Sequence, residues 1–365
     1  MDDIKMVIKR IYLLGLLLLT IEGWAEVIPN TTSTESLPDV GVIQTLSTNN
    51  TPIKYIKRPK ITYPKNLSDF GNRGKVLLKV LITETGRVSE VEVLDSPHPD
   101  LERAAVQAVM GALFEPEKIN GKPQSGFVKI PIEFSVSAGL SNGVDPFRIP
   151  AASKNLPADL QYDVAPQIRI AAPLVYPYEL LKSKTTGKAK VYVVIDPDGN
   201  VRQANVLSAS EPSFGLAAKA SLQSWKFYPA KKDGKHSWSV ITKEQNFNQF
   251  NRDTSNSHST TQILADLERG KTKIYELKDL DSVPKPLYAP YPEMPIGYDK
   301  SQKSKVMLEF YLDQDGMVIL PRIVSGNNDE FSWLALTAVK RWQFDIPKVN
   351  GKAVVARLRL PIQFD

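Results

Sequence analysis

The chain contains no cysteine, so a disulfide framework, a thiolate metal site, a cysteine nucleophile and a lipid anchor on cysteine are all excluded. It has three histidines, His98, His236 and His258, in unrelated contexts. With no i, i+4 pair and no carboxylate cluster beside them, they read as surface residues rather than metal ligands or bases. Long hydrophobic runs are also missing. The longest, Ile11 to Ile21, is eleven residues, against the ~20 that a bilayer crossing needs. Charge of one sign is scarce too: 46 Lys and Arg stand against 40 Asp and Glu, a net +6. Spread over 365 residues, that excess reads as a solubility feature and predicts no nucleic-acid partner.

The short apolar run has a purpose of its own. Lys9-Arg10 precedes it and Gly23-Trp24-Ala25 follows, a basic flank and small residues that suit cleavage after Ala25. Residues 1–25 are therefore expected to be a signal peptide that is removed on export of the chain. Retention of this segment as an inner-membrane anchor is the alternative, and a start at Met6 would remove the two aspartates from its basic flank. Residues 26–58, rich in Thr, Ser, Asn and Pro, read as a flexible lead-in.

From there on the chain writes one pattern three times. Gly86, Phe114 and Gly121-Lys122 recur as Gly199, Phe227 and Gly234-Lys235, and again as Gly316, Phe344 and Gly351-Lys352. In each copy the first glycine lies 28 residues before the phenylalanine and 35 before the Gly-Lys pair. Two spacings held fixed over three copies make a repeat, and the intervals of 113 and 117 residues are too long for a solenoid unit.

Each copy has the same internal order. Val76, Leu78, Val80 and Ile82 alternate with period two, a strand with one buried face. Thr83 to Gly86 is a turn, and its counterparts are Asp196-Pro197-Asp198-Gly199 and Asp313-Gln314-Asp315-Gly316; Asp, Pro and Gly between alternating runs predict a hairpin. The period then changes. Leu101, Ala104, Ala105, Ala108, Val109 and Ala112 mark one face of a helix, with Asp100 and Ser213 as expected N-caps in the first two copies. A third strand closes each copy at Phe134, Phe247 and Phe364.

A right-handed crossover from the second strand to the third places the first strand between them, antiparallel to both. Pro321, inside a second strand, fits an edge or a bulge. The expected fold class is α+β: three tandem small domains, each a three-stranded sheet in strand–strand–helix–strand order with its helix on one face. The expected division is 59–136, 171–248 and 285–365 for the domains. Residues 137–170 and 249–284 are linkers, the second with a short helix suggested by Ile263, Leu264 and Leu267.

No shared position carries catalytic chemistry. The Asp-x-Asp-Gly turns have glycine fourth, not sixth as in a calcium loop, and a strand follows directly. The Gly-Lys pairs lack the phosphate-loop pattern and precede a strand. Trp225, Trp342 and the phenylalanines two residues on read as core. No serine, histidine and aspartate set or carboxylate pair recurs. The expectation is a non-enzyme without cofactor or metal.

The full pattern resembles the C-terminal domain of the TonB family. Copy two carries it in Tyr176-Pro177, Gly187, Asp198-Gly199, Ala217-Ala218, Trp225, Phe227, Pro229 and Gly234-Lys235. Copy one shows Tyr63-Pro64, Gly74, Gly86, Phe114, Gly121-Lys122 and Pro131 to Phe134; copy three shows Tyr291-Pro292, Gly316, Trp342, Phe344, Gly351-Lys352 and Pro361 to Phe364. Departures are Ala112 at the tryptophan position of copy one, Glu244-Gln245-Asn246 in place of the Pro-Ile motif in copy two, and, in copy three, Ser304 or a neighbour where the other copies have Gly74 and Gly187. The resemblance implies a periplasmic module that pairs its last strand with an extended N-terminal segment of an outer-membrane receptor or another periplasmic protein. Carried over, the pairing residues are Phe127, Lys129 and Pro131, then Val240 and Thr242, then Val355, Arg357 and Arg359. The expected function is non-catalytic peptide or protein binding by strand addition. The alternatives are an energy transducer of outer-membrane transport and a self-associating structural protein.

Overall fold

A computed structural model describes residues 53–64, 74–134, 149, 156–157, 160–248, 260–294 and 303–364. The signal segment and residues 26–52 of the lead-in lie outside the described residues. The long elements run β1 (Gly74–Ile82), β2 (Val88–Asp95), α1 (Pro99–Met110) and β3 (Gly126–Phe134) in the first repeat. The second has β4 (Gly187–Ile195), β5 (Val201–Ala209), α2 (Pro212–Gln223) and β6 (Ser239–Phe247). After α3 (Thr260–Glu268) and β7 (Ile274–Glu276), the third has β8 (Ser304–Leu312), β9 (Val318–Gly326), α4 (Asp329–Lys340) and β10 (Val355–Phe364).

The sheet orders are β2-β1-β3 and β5-β4-β6, with antiparallel pairs throughout. Each first strand is the centre, as the crossover rule requires. The third sheet is four-stranded, β7-β10-β8-β9, because β7 adds in parallel to the outer side of β10. Along each central strand every second residue is buried beneath the helix: Val76, Leu78, Val80 and Ile82, then Ala189, Val191, Val193 and Ile195, then Val306, Leu308, Phe310 and Leu312. Pro321 lies in the edge strand β9, at a bulge where the register shifts between Glu309 and Tyr311.

The fixed spacings have a main-chain cause. The carbonyl of Gly86 accepts the N–H of Phe114 at 2.8 Å, and Gly199–Phe227 and Gly316–Phe344 repeat this at 2.8 and 2.9 Å. These glycines have φ of +74°, +84° and +77°. A Cβ on them would lie 1.8–2.1 Å from the carbonyl oxygen of that same phenylalanine, so both conformation and space demand glycine. The carboxylates of Asp196 and Asp313 each accept two backbone N–H groups inside their turns, which is turn chemistry. The Gly-Lys pairs follow residues that also have positive φ, Asn120, Asp233 and Asn350, and close two-residue hairpins between short strands. Trp225, Phe227, Trp342, Phe344 and Phe114 are all buried core. Ser304 is accommodated at the glycine position by donating to the Asn327 Oδ1 at 2.6 Å.

Four readings change. The helices start earlier than Asp100 and Ser213, with His98 and Glu211 as N-caps, because Pro99 and Pro212 take the first helical position. His98 is therefore no surface residue: it is 4% exposed and its Nδ1 accepts the N–H of Asp100 at 3.1 Å. Each repeat also has a short strand before its Tyr-Pro pair, Lys54–Lys57, Gln167–Ile170 or Pro286–Tyr288, antiparallel to the strand after its helix. With Ile53 in the first core, the lead-in is ordered structure from residue 53 onward. Finally, the first linker is tied to repeat two where Asp163 and Val164 donate to the Lys231 carbonyl, whereas α3 lies where the second was expected to hold a short helix.

The described residues all fall in one unit, Ile43–Asp365, and the repeats touch one another. Repeat one meets repeat two where Ser96 bridges Ile170 and Arg169 donates to the Leu94 carbonyl. It meets repeat three through a buried network: Arg341 donates twice to Glu102 at 2.9 and 3.0 Å, and the Tyr288 hydroxyl donates to the same carboxylate at 3.0 Å. Tyr288 belongs to the core of repeat one, the copy with Ala112 in place of tryptophan. Helices α2 and α4 pack together, flanked by Lys219–Glu330 at 2.9 Å.

Candidate functional site

The eight predicted residues occupy three separate strands. Phe127, Lys129 and Pro131 lie on β3, Val240 and Thr242 on β6, and Val355, Arg357 and Arg359 on β10. In β3, Val128, Ile130, Ile132 and Phe134 are buried while Phe127 and Lys129 are exposed on the face away from the helix. The Lys79 ammonium sits 4.7 Å from the centroid of the Phe127 ring, a cation–π contact that holds the exposed ring in place.

The outer sides of the three strands differ in what protects them. β3 carries Lys129 and Pro131, and β10 carries Arg357, Arg359 and Pro361; cations and proline are the usual defences of an edge. In β6 the position of those prolines is held by Glu244: Pro131, Glu244 and Pro361 pair with Leu77, Lys190 and Met307 of their central strands. β6 therefore has an N–H at every residue from Ser239 to Phe247. Among the described residues no strand covers the outer side of β3 or β6. Trp238, at the entry to β6, is 44% exposed, close to the 42% of Phe127.

The edge of repeat three is partly filled. Ile274, Tyr275 and Glu276 pair in parallel with Val355, Ala356 and Arg357. Arg357 donates to the Glu276 carboxylate, and that hydrogen bond is the main reason its guanidinium is held above its usual range. The strand-addition residues Val355 and Arg357 thus already face a partner strand, supplied by a three-residue stretch too short to show any period in the sequence. Arg359 is drawn elsewhere. It donates to Glu309 at 2.6 Å, and Arg322 donates to the other oxygen of the same carboxylate at 2.9 Å. Burial opposes the charge on Glu309, but the two arginines outweigh it and hold its carboxyl below the usual range. The face around Glu309 is covered by Leu181, Leu264, Tyr311, Ile319 and Leu320, with Ile263, Leu267, Ile274 and Val355 against them.

Sequence reasoning missed Glu309, Arg322 and Glu276, since isolated charges in alternating strands read as solvated. The geometry suits main-chain recognition of an extended segment. Among the described residues no group of three or more His, Asp or Glu side chains could hold a metal ion, and no helix is long and apolar enough to cross a membrane.

The family described as Gram-negative bacterial TonB protein C-terminal matches residues 59–136, 172–248 and 290–365, more than half of the chain. Protein tonB2 of Pseudomonas aeruginosa is 36% identical over 84 residues, 23% of this chain. The match spans 31% of that protein's length.

Proposed function

Because the chain belongs to the Gram-negative bacterial TonB protein C-terminal family, we propose that it is a non-catalytic periplasmic protein, exported by residues 1–25, that binds extended segments by strand addition in TonB-related outer-membrane transport. The observation that carries this reading is the outer side of β6. It has no position where proline removes an outward N–H, an exposed tryptophan at its entry, no strand over it among the described residues, and no exposed cation in its middle. Lys243, the cation of β6, is buried with its ammonium 5.9 Å from the Trp225 ring centroid. An edge so unguarded is a liability unless a partner strand uses it. β3, with Phe127 exposed but Lys129 and Pro131 beside it, is the weaker of the two uncovered edges. The partner this fits is an N-terminal extended segment of an outer-membrane receptor or of another periplasmic protein.

The test exploits the absence of native cysteine. In the native host, a lone cysteine at Thr242 should crosslink to receptor N-terminal segments more strongly than one at Lys129. Glu244→Pro should leave the fold intact, since Pro131 and Pro361 occupy that place in the other repeats, while weakening capture about fivefold, the worth of roughly one hydrogen bond. Capture of only the protein itself at Thr242, or full capture by Glu244→Pro, would overturn the reading.

A further inference from the structure

Repeats two and three share one device and differ in another. In both, the segment entering the repeat puts an aspartate on the repeat's two-residue turn. Asp163 donates its N–H to the Lys231 carbonyl at 2.8 Å and accepts the N–H of Asp233 at 2.7 Å. Asp281 donates to the Lys348 carbonyl at 2.8 Å and accepts from Asn350 and Gly351, both at 2.8 Å. Among the described residues, only in repeat three does the chain before that aspartate also lie on the last strand, as β7. Among the described residues the sheet of repeat two has no such strand, and β7 stands as an addition to the common sheet of the repeats.

Resting on the strand-addition reading above, we propose that β7 is a built-in surrogate ligand: the third repeat holds a real strand-addition site, filled in cis by Ile274–Glu276. The ligand class it admits is an extended segment running parallel to β10, with an apolar residue opposite Val355 and, two residues on, a carboxylate opposite Arg357. The occupant itself defines that class. Ile274 packs with Val355 against Leu264 and Tyr311, and Glu276 takes the Arg357 guanidinium. At the place of Arg357 the other two edges carry Phe127 and Val240, so an acid at that register distinguishes the third site from them.

The occupant is displaceable. Three residues pair, and the Glu276–Arg357 contact lies at the surface, with side chains 43% and 38% exposed, where an ion pair contributes little. The flanking anchors, α3 on the sheet face and Asp281 on the turn, keep the strand nearby at high effective concentration.

The probe is a fluorescent peptide of residues 271–281 added to the full-length protein. Replacing Ile274–Glu276 by Gly-Ser-Gly should raise its affinity at least tenfold over wild type, and Arg357→Ala in that background should lower it again by about two- to fivefold. A second variant keeps the strand in place. Ile274→Cys with Val355→Cys joins register partners, whose spacing in adjacent strands suits a disulfide. Oxidised, it should reject the peptide; reduced, it should behave as wild type. Equal binding by the wild type and the Gly-Ser-Gly variant, equal binding by the oxidised and reduced forms, or indifference to Arg357, would overturn the proposal. Receptor capture at Thr242 together with such a result would sink the surrogate strand and leave the β6 reading standing.

Discussion

One cross-sheet row, read in the first and third repeats, shows the same backbone positions serving opposite chemistry. In repeat one the row is Glu92–Lys79–Lys129; in repeat three it is Arg322–Glu309–Arg359, with the signs of the first two positions reversed and a cation kept at the third. Repeat two places Asn205–Tyr192–Thr242 there, and Asn205 donates to the Tyr192 hydroxyl at 2.7 Å. The difference follows from what lies above the sheet. The face of repeat one meets water, which screens the adjacent Lys79 and Lys129. In repeat three α3 and the second repeat cover the face, the central carboxylate is fully buried, and each of its oxygens takes an arginine. The covered face is also the one whose edge is filled by the chain itself.

The largest way to break that comparison is Glu309→Ala. Removing a buried carboxylate from two arginines is expected to cost about 2–3 kcal/mol; it falls below the ~3–5 of a wholly buried pair because both arginines can turn toward water. A urea titration followed by near-UV signal should show the lowered midpoint. A shift no larger than that of a surface variant would mean that the cover over Glu309 contributes nothing. Glu309 also sets a pH dependence. Its carboxyl is held below its unfolded value, so its contribution is present above the ordinary carboxylate range and is lost as pH falls through the folded value.

The next comparison sets the same turn in repeats two and three against each other. Asp196 is opposed by burial, but the backbone N–H of Asn200 and the Arg202 side chain, 2.5 Å away, hold its carboxyl below the usual range. Asp313 has Ile319 where repeat two has Arg202, and there burial prevails and pushes its carboxyl up. The signs are opposite. Asp196 contributes stability above its unfolded value, lost on acidification, while ionised Asp313 opposes folding increasingly as pH rises through its unfolded value toward its folded one. Asp196→Asn should therefore lower Tm by a few degrees at pH 7 and less at pH 4. Asp313→Asn, which keeps the acceptor for both turn N–H groups, should leave Tm unchanged or raise it at pH 7. Scanning calorimetry at the two pH values decides; two shifts of the same sign at pH 7 would defeat the account.

What the sequence disclosed about these repeats was what backbone geometry compels. Gly86, Gly199 and Gly316 stand 28 residues before their phenylalanines because each glycine carbonyl receives that residue's N–H, so spacing and residue type were both visible. The alternating cores and the helix stripe were legible for the same reason. The relations between distant segments were hidden. Glu102 and Arg341 lie 239 residues apart, and nothing local marks either as buried. His98 caps α1 because Pro99 moves the helix start, which the apolar stripe alone places at Asp100. The candidate edges were named from strand order and resemblance, but strand order cannot say which edge a remote three-residue segment will cover. Glu244, the residue that leaves β6 without a proline, was visible only as a departure from the family's pattern.

The smallest expected effect is the one that most sharpens the contrast between rows. Lys79 occupies the same place as Glu309, holds Glu92 at 3.1 Å with side chains 37% and 56% exposed, and sits over the Phe127 ring. Lys79→Ala should change the unfolding free energy read from the urea titration by less than about 1 kcal/mol, since an exposed pair in water contributes roughly 0.2–1 and the substitution also relieves Lys129 opposite. It should nonetheless free the Phe127 ring, which a fluorine label on that ring would report as faster motion on the nanosecond scale. A loss as large as that of Glu309→Ala would show that the face of repeat one is covered in the folded protein, and the contrast between the two rows would then collapse.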